Sequence, residues 1–301
     1  MLRCTIAGMI PILMSEKYSN LHESIFTNSR SYFDSILKNE SYYILRYLPP
    51  DIAKELVESY MTEVLKKQRK TGLWKIKDAE RITYDIYAAL KHIGILYEVL
   101  SSGLIKYDTL ACISDSYDYY SLLLKKNIFG TLSKKDGEMI TDYINDIYGK
   151  QEINGSWGNS VIETSVHLER LTELGLTLDN ETVSHGCNYL FSNLNSDFSA
   201  HHVGSPYGFK AQYMFSGKDR TMEFEAAQKL KPEWIPRAVC FHHVGVIQNS
   251  VALITLLRLG FGENDSVIHA IDNLYSIYNE YHGFCDSDIK KKYVSDNEIK
   301  L

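Results

Sequence analysis

The residues of this chain that could carry chemistry crowd toward its C-terminal end: Cys240, His242, His243, His282, Cys285, Asp286 and Asp288. Thiolate, imidazole and carboxylate are the side chains that hold zinc in a tetrahedral site, and a zinc-bound thiol is deprotonated and nucleophilic. Cys240 with His242 or His243, completed by His282 or Cys285 from the following loop, would be one such site. The alternative is that these histidines are packed or face solvent. Asp286-Ser287-Asp288 offers a second chemistry, because a carboxylic acid whose proton is retained by burial and a neighbouring carboxylate can act as a general acid. Left in water, Asp286 and Asp288 are only a solvated helix start.

The other polar constellations are weaker. Asp142 and Asp146 stand one helical turn apart and could hold a hard cation such as magnesium, but Tyr143 and Ile144 make them the wet side of an amphipathic helix. Glu163, His167 and Arg170 share a polar face, either a cavity mouth or surface pairing worth tenths of a kcal/mol. His201-His202 sits in a glycine-bearing loop. No phosphate-binding glycine loop and no nucleophile elbow is present, and the chain has no Asp-Asp pair.

A net charge of -6, with no basic block longer than Lys290-Lys291-Lys292, argues against a nucleic-acid partner. Five scattered cysteines without a C-x-x-C pair fit a reducing compartment, so a cytoplasmic protein is expected. The apolar run Ile6–Met14 follows Arg3 but is short and contains Pro11, which disfavours a signal peptide. Tyrosines outnumber phenylalanines 22 to 11, and an apolar ring with a polar tip suits a partly wet cavity or an amphipathic surface equally.

The elements that must position these residues follow a helical period. A helical stretch is expected over Ser15–Leu48, ended by Pro49-Pro50, then a helix capped by Asp51 and running to about Gln68. Gly72-Leu73-Trp74 breaks it before a helix at about 79–94. Ile140, Tyr143, Ile144, Ile147 and Tyr148 mark the next helix, and Gln151-Glu152-Ile153-Asn154-Gly155-Ser156-Trp157-Gly158 the next loop. Further helices are expected at about 160–174, stopped by Gly175, from a cap near Asp179 or Asn180, and over Val246–Leu259, stopped by Gly260. Weaker copies of the loop recur at Tyr207-Gly208-Phe209 and Gly283-Phe284-Cys285. One helix–loop–helix unit is therefore reused, and paired helices that cannot bury a face alone must stack. The expectation is an all-α chain: an N-terminal helical segment, 1–50, and a continuous repeat domain, 51–301.

Gln151–Gly158, followed by Thr164 and by Gly186-Cys187-Asn188-Tyr189-Leu190-Phe191, resembles the repeats of the α/α-toroid superfamily of terpenoid cyclases and protein prenyltransferase β subunits. Their Q-x-x-D-G-S-W-like loop joins an outer to an inner helix. A looser match is Gln68 with Gly72-Leu73-Trp74 and Tyr84-Asp85; Asn154 stands where the family usually has Asp. The resemblance covers about 135–195 well and is diffuse elsewhere. It implies a ring of helices around an apolar cavity that takes an isoprenoid (polyprenyl) substrate, with Trp74, Tyr84, Trp157, His167 and His243 in reach of it, although Trp157 reads first as packing. For an enzyme it implies acid-initiated cyclisation or isomerisation with Asp286 or Asp288 as donor. It is also compatible with a zinc site at Cys240, His242, His282 and Cys285, with magnesium as the other metal, and with peripheral membrane contact. The rival expectation is a non-catalytic toroid that binds a lipid or a protein. The oligomeric state is open.

Overall fold

The computed structural model describes residues 2–38, 41–75, 77–194 and 249–281, and the protein is all-α over them: the sole strand-like feature there is an isolated bridge between Trp157 and Ser160. In chain order the helices are α1 (Leu2–Met14), α2 (His22–Lys38), α3 (Pro50–Leu65), α4 (Ala79–His92), α5 (Leu96–Ser101), α6 (Thr109–Ile113), α7 (Tyr119–Leu123), α8 (Lys134–Tyr148), α9 (Val161–Glu173), α10 (Glu181–Asn193), α11 (249–258) and α12 (Asp265–Tyr281). A π-helical turn, Leu124–Phe129, continues α7, and 3-10 turns cover Glu16–Leu21 and Tyr42–Arg46.

The stretch read as helical from Ser15 to Leu48 is thus interrupted. In the turn at 42–46 a tighter winding lets Tyr42, Ile44 and Leu45 all be buried, with Tyr47 and Leu48 beyond them, a spacing one α-helical face cannot provide. Asp51 is not the cap of α3. Pro49 occupies that position with Pro50 as the first helical residue, where its missing N–H costs nothing, and Asp51 lies in the first turn.

The chain divides into two compact units. One holds residues 1–16, 152–168 and 178–301; the other holds 17–151 and 169–177. In the first, α1 packs on α12, with Met9, Ile10, Ile12 and Leu13 buried on one side and Val267, Ala270, Ile271 and Leu274 on the other. These residues follow the 3.6 period of a helix with one dry face.

In the second unit α4 packs on the 42–46 turn, on α7 and on the π-helical turn, while α2 packs on α3. A buried ion pair fastens α8: Lys125 Nζ donates to Asp136 Oδ1 at 2.8 Å and to the carbonyls of Ser114 and Ser116 at 2.8 and 2.9 Å. Asp136 also closes a capping box with Ser133. Every strong donor and acceptor is engaged, which is the condition for such a pair to be tolerated in a core.

Three helices end in the same way. Gly94, Gly175 and Gly260 each donate to the carbonyl three residues back, and the next residue to the carbonyl five back: Ile95 to Leu90, Leu176 to Leu171, Phe261 to Leu256. This is the Schellman arrangement, which places its glycine in the left-handed region, here at φ 79, 96 and 90°.

Candidate functional site

Two loops built from one plan frame everything else. At Gly72 and Gly155 φ is +83 and +84°, and a Cβ would lie 2.6 Å from the Asp108 carbonyl oxygen and 2.3 Å from that of His185. Neither conformation nor space admits a side chain. Two residues on, the Trp74 backbone N–H donates to Thr83 Oγ1 at 3.3 Å and the Trp157 N–H to Thr164 Oγ1 at 3.1 Å. Each tryptophan is thereby tied to the N-terminal part of the helix that follows it.

The supporting groups differ. Gln68 clamps the first loop, its Nε2 donating to Gly72 O and Tyr107 O at 2.9 Å, its Oε1 accepting from Lys106 N and Tyr107 N at 2.8 and 2.9 Å. In the second, Asn154 Oδ1 accepts from Ser156 N at 3.0 Å and Ser156 Oγ at 2.7 Å, so an amide oxygen does here what a carboxylate would do.

Trp74 and Trp157 are both buried in this scaffold. The Trp74 indole N–H donates to Val64 O at 2.9 Å and its ring meets Tyr87 edge-on at 5.6 Å. Trp157, 1% exposed, lies against Gly186, where a Cβ would come within 3.0 Å of the indole, and the His167 ring lies 5.4 Å away.

Tyr84 leads to a different environment, a buried polar cluster in the unit that contains α4. Arg46 Nη1 pairs with Glu173 Oε1 at 2.5 Å and Nη2 with Glu169 Oε1 at 3.4 Å, while the guanidinium lies over the Tyr84 ring, 5.2 Å from its centre. Tyr47 donates to Glu169, Tyr119 to Glu173 Oε2 at 2.9 Å, and Tyr84 to Glu173 Oε1 at 3.3 Å. Arg170 covers the Tyr119 ring at 5.6 Å, and the Tyr84 and Tyr120 rings lie 6.1 Å apart. From the π-helical turn, Lys126 Nζ donates to Leu174 O at 2.5 Å and Asn127 Nδ2 to Glu173 O at 3.1 Å, satisfying carbonyls that end α9.

Asp85 is the exception to this closed pairing. It is 3% exposed, its one ion pair among the described residues is with Arg81 Nη1 at 3.8 Å, and its carboxyl takes part in no hydrogen bond with them. Burial pushes its pKa up to about 7; Arg46 and Arg81 oppose that rise, and Glu173 and Glu169 add to it. The same burial, with Glu173 beside them, raises the Tyr84 and Tyr119 hydroxyls above their ordinary value. Burial alone would lower the pKa of Arg46, but Tyr47, Glu173, Asp85 and Tyr84 hold it well above its usual range. A carboxyl that keeps its proton near neutral pH in a low-dielectric, aromatic setting can donate a proton or a hydrogen bond, which an ordinary carboxylate cannot.

Of the residues singled out in the sequence, Tyr84 falls in this cluster, while Trp74, Trp157 and His167 belong to the loop scaffold. Asp142 and Asp146 are exposed, and Asp146 is paired with Lys150 at 2.5 Å. His243, Cys240, His242, His282, Cys285, Asp286 and Asp288 lie outside the described residues, as do Tyr207-Gly208-Phe209 and Gly283-Phe284-Cys285. Among the described residues no three His, Cys, Asp or Glu side chains are grouped to hold a metal ion, and no helix is long and apolar enough to cross a membrane.

Sequence reading missed Arg46, Tyr119, Tyr120, Glu169 and Glu173. The available signal was small: an Asp at 85 on the apolar side of its own helix, next to Ile82, Ile86 and Leu90. A search of protein-family models, curated proteins and solved structures finds nothing that this chain matches.

Proposed function

We propose that this chain is an isoprenoid-handling protein whose helix–loop–helix units close into an α/α toroid of the terpenoid cyclase type. The observation that carries the reading is the duplicated loop: the same glycine conformation, the same N–H to threonine hydroxyl bond and the same buried tryptophan at 72–83 and at 155–164. These are the residues on which the resemblance to that superfamily rests. Tyr84, Tyr119 and Tyr120 supply aromatic faces of the kind that stabilise a carbocation.

On this reading the chemistry is acid-initiated cyclisation or isomerisation. The carboxyl oxygen loses its proton to an alkene carbon, whose π pair forms the new C–H bond and leaves a cation on the neighbouring carbon. Asp85 is the described carboxyl with the required property of staying protonated near neutral pH, and it joins Asp286 and Asp288 as a candidate donor. Incubation with geranylgeranyl diphosphate and with squalene, over varied pH and metal, is the test. Loss of about 100-fold or more in product formation in Asp85→Asn, with Asp286→Asn and Asp288→Asn near wild type, assigns the donor. Unchanged substrates throughout would end the enzyme reading.

A second reading, non-catalytic binding of a lipid or protein by the same scaffold, is favoured by the mutual pairing of Arg46 with Glu169 and Glu173, which is what a structural clamp looks like. Retention of labelled polyprenyl chains without turnover would select it.

A further inference from the structure

Tyrosines outnumber phenylalanines 22 to 11, and four tyrosine rings of the unit that contains α4 form a continuous row. Centre to centre, Tyr143 on α8 stands 6.1 Å from Tyr119 on α7, Tyr119 stands 5.1 Å from Tyr120, and Tyr120 stands 6.1 Å from Tyr84 on α4. Phenylalanine would serve packing alone. At the inner end of the row the hydroxyls have a defined partner: Tyr119 donates to Glu173 Oε2 at 2.9 Å and Tyr84 to Oε1 of the same carboxylate at 3.3 Å. The Arg170 carbonyl, at 3.5 Å, is a weaker alternative for Tyr119. The Glu173 side chain is 7% exposed and Arg46 pairs with Oε1, so the oxygen that faces Tyr119 is the one Arg46 does not bind. A buried phenol gives up an electron only if its proton leaves with it, because the radical cation would be an uncompensated buried charge. A carboxylate already hydrogen-bonded to the phenol is placed to take that proton.

We propose that Tyr119 is a radical site: a one-electron oxidant in solution takes an electron from the half-buried Tyr143, and the oxidising equivalent passes to Tyr119, which rests as a neutral tyrosyl radical with its proton on Glu173. Tyr143 releases its phenol proton to water as it is oxidised. Tyr119 then supplies the electron that restores Tyr143, which takes a proton back from water. The Tyr119 O–H bond breaks and a new O–H bond forms at Glu173 Oε2. A thiolate, itself oxidised to a thiyl radical, returns the electron, and Glu173 returns the proton. No isoprenoid takes part, so the site does not rest on that reading.

The neighbours of each ring decide where the radical stays. The Tyr120 hydroxyl makes no hydrogen bond among the described residues, so this ring has no proton acceptor of its own and only passes the electron on. Tyr84 has the longer bond to Glu173, and the Arg46 guanidinium lies 5.2 Å from its ring centre. With 12% of the Arg46 side chain exposed, that positive charge is poorly screened and opposes removal of an electron from Tyr84. Arg170 lies 5.6 Å from the Tyr119 ring centre, but it is exposed and its charge is screened by water and salt.

The test is freeze-quench electron paramagnetic resonance on the full chain after flash oxidation by a photogenerated ruthenium(III) polypyridyl complex. Ring-deuterated tyrosine, incorporated throughout, narrows a tyrosyl signal and leaves a tryptophan radical unchanged. The expected result is a tyrosyl signal that outlives the one from the urea-unfolded chain. It should be lost in Tyr119→Phe, form more slowly in Tyr143→Phe, and decay faster in Glu173→Gln, whose amide cannot take the proton. A ring-fluorinated tyrosine placed at position 119 alone keeps the ring and the hydroxyl, and should add fluorine splitting to the long-lived signal even if Tyr119→Phe or Glu173→Gln fails to fold. The radical site is overturned if no tyrosyl signal outlives that of the unfolded chain, if the long-lived signal survives in folded Tyr119→Phe, or if fluorine at position 119 leaves it unsplit. Formation at the wild-type rate in Tyr143→Phe overturns the entry point, and an unchanged lifetime in folded Glu173→Gln overturns Glu173 as the acceptor.

Discussion

The loops at 72–83 and 155–164 share a backbone plan, yet the helices that follow them carry opposite chemistry. Two residues beyond the anchoring threonine, α4 has Asp85, 3% exposed, and α9 has Val166, 38% exposed. A repeat governed only by its hydrophobic period would reverse these: the valine would be inside and the aspartate in water. What is common to the copies, glycine, tryptophan and threonine, sets the geometry of a helical hairpin. What differs is set by the neighbours of one copy: burial holds the proton on Asp85, an effect that the Arg46 and Arg81 guanidinium groups oppose and Glu173 and Glu169 reinforce. Scaffold and chemistry are thus separable in this chain, and each can be attacked without the other.

The largest expected effect is on the scaffold, and it should appear in both copies. Trp157→Ala would open a cavity between Leu168, Gly186 and the His167 ring, and such truncations cost about 3–5 kcal/mol. Trp74→Ala removes a comparable ring, its edge-on contact with Tyr87, and the donor to Val64 O. Urea titrations of both variants should give losses in that range. If the Trp74 variant is near wild type while the Trp157 variant is not, the two loops are not equivalent supports.

Glycine substitutions come next. At Gly155 an alanine meets both an unfavourable φ of +84° and the His185 carbonyl oxygen 2.3 Å from its Cβ, and at Gly72 the same conformation with 2.6 Å to Asp108 O. Strain of this kind costs about 1–3 kcal/mol at each site. Gly94→Ala has nothing within 4 Å of its Cβ, so it isolates the conformational part alone and should cost about 1 kcal/mol. Thermal midpoints ordered Gly94→Ala above Gly72→Ala and Gly155→Ala would separate conformation from crowding.

This separation also explains what was legible in the sequence. Helix positions and the stops at Gly94, Gly175 and Gly260 follow from local rules: a period of 3.6 and a left-handed residue at a helix end. The cap at Asn180, whose side chain accepts from Val183 N at 3.3 Å, was readable for the same reason. The Arg46 cluster was not, because the partners of Arg46 from other segments stand 38 to 127 residues away in sequence, from Tyr84 at the near end to Glu173 at the far end. Charged residues distributed singly along amphipathic helices look like a wet surface until tertiary packing brings them together. Short segments such as α6, α7 and the π-helical turn carry too few residues for a period to show, though they supply Tyr119, Tyr120, Lys126 and Asn127.

The smallest effect offers the sharpest comparison of the two loops. Thr83→Val and Thr164→Val are nearly isosteric, leave each helix intact, and remove only the hydroxyl that accepts from the tryptophan N–H. A hydrogen bond of this kind contributes about 1 kcal/mol, and a buried N–H left without its acceptor adds to the loss. Both threonines are 0% exposed, so solvent cannot replace the lost acceptor. At 3.1 Å against 3.3 Å the bond at Trp157 is the shorter, and Thr164→Val should cost the more of the two, by a few tenths of a kcal/mol. Amide hydrogen exchange at Trp74 and Trp157 reads this directly, because each substitution should accelerate exchange at its own tryptophan and leave the other unchanged. Acceleration at both tryptophans from either substitution would mean that the loops open together, as one cooperative element and not as two independent copies of it.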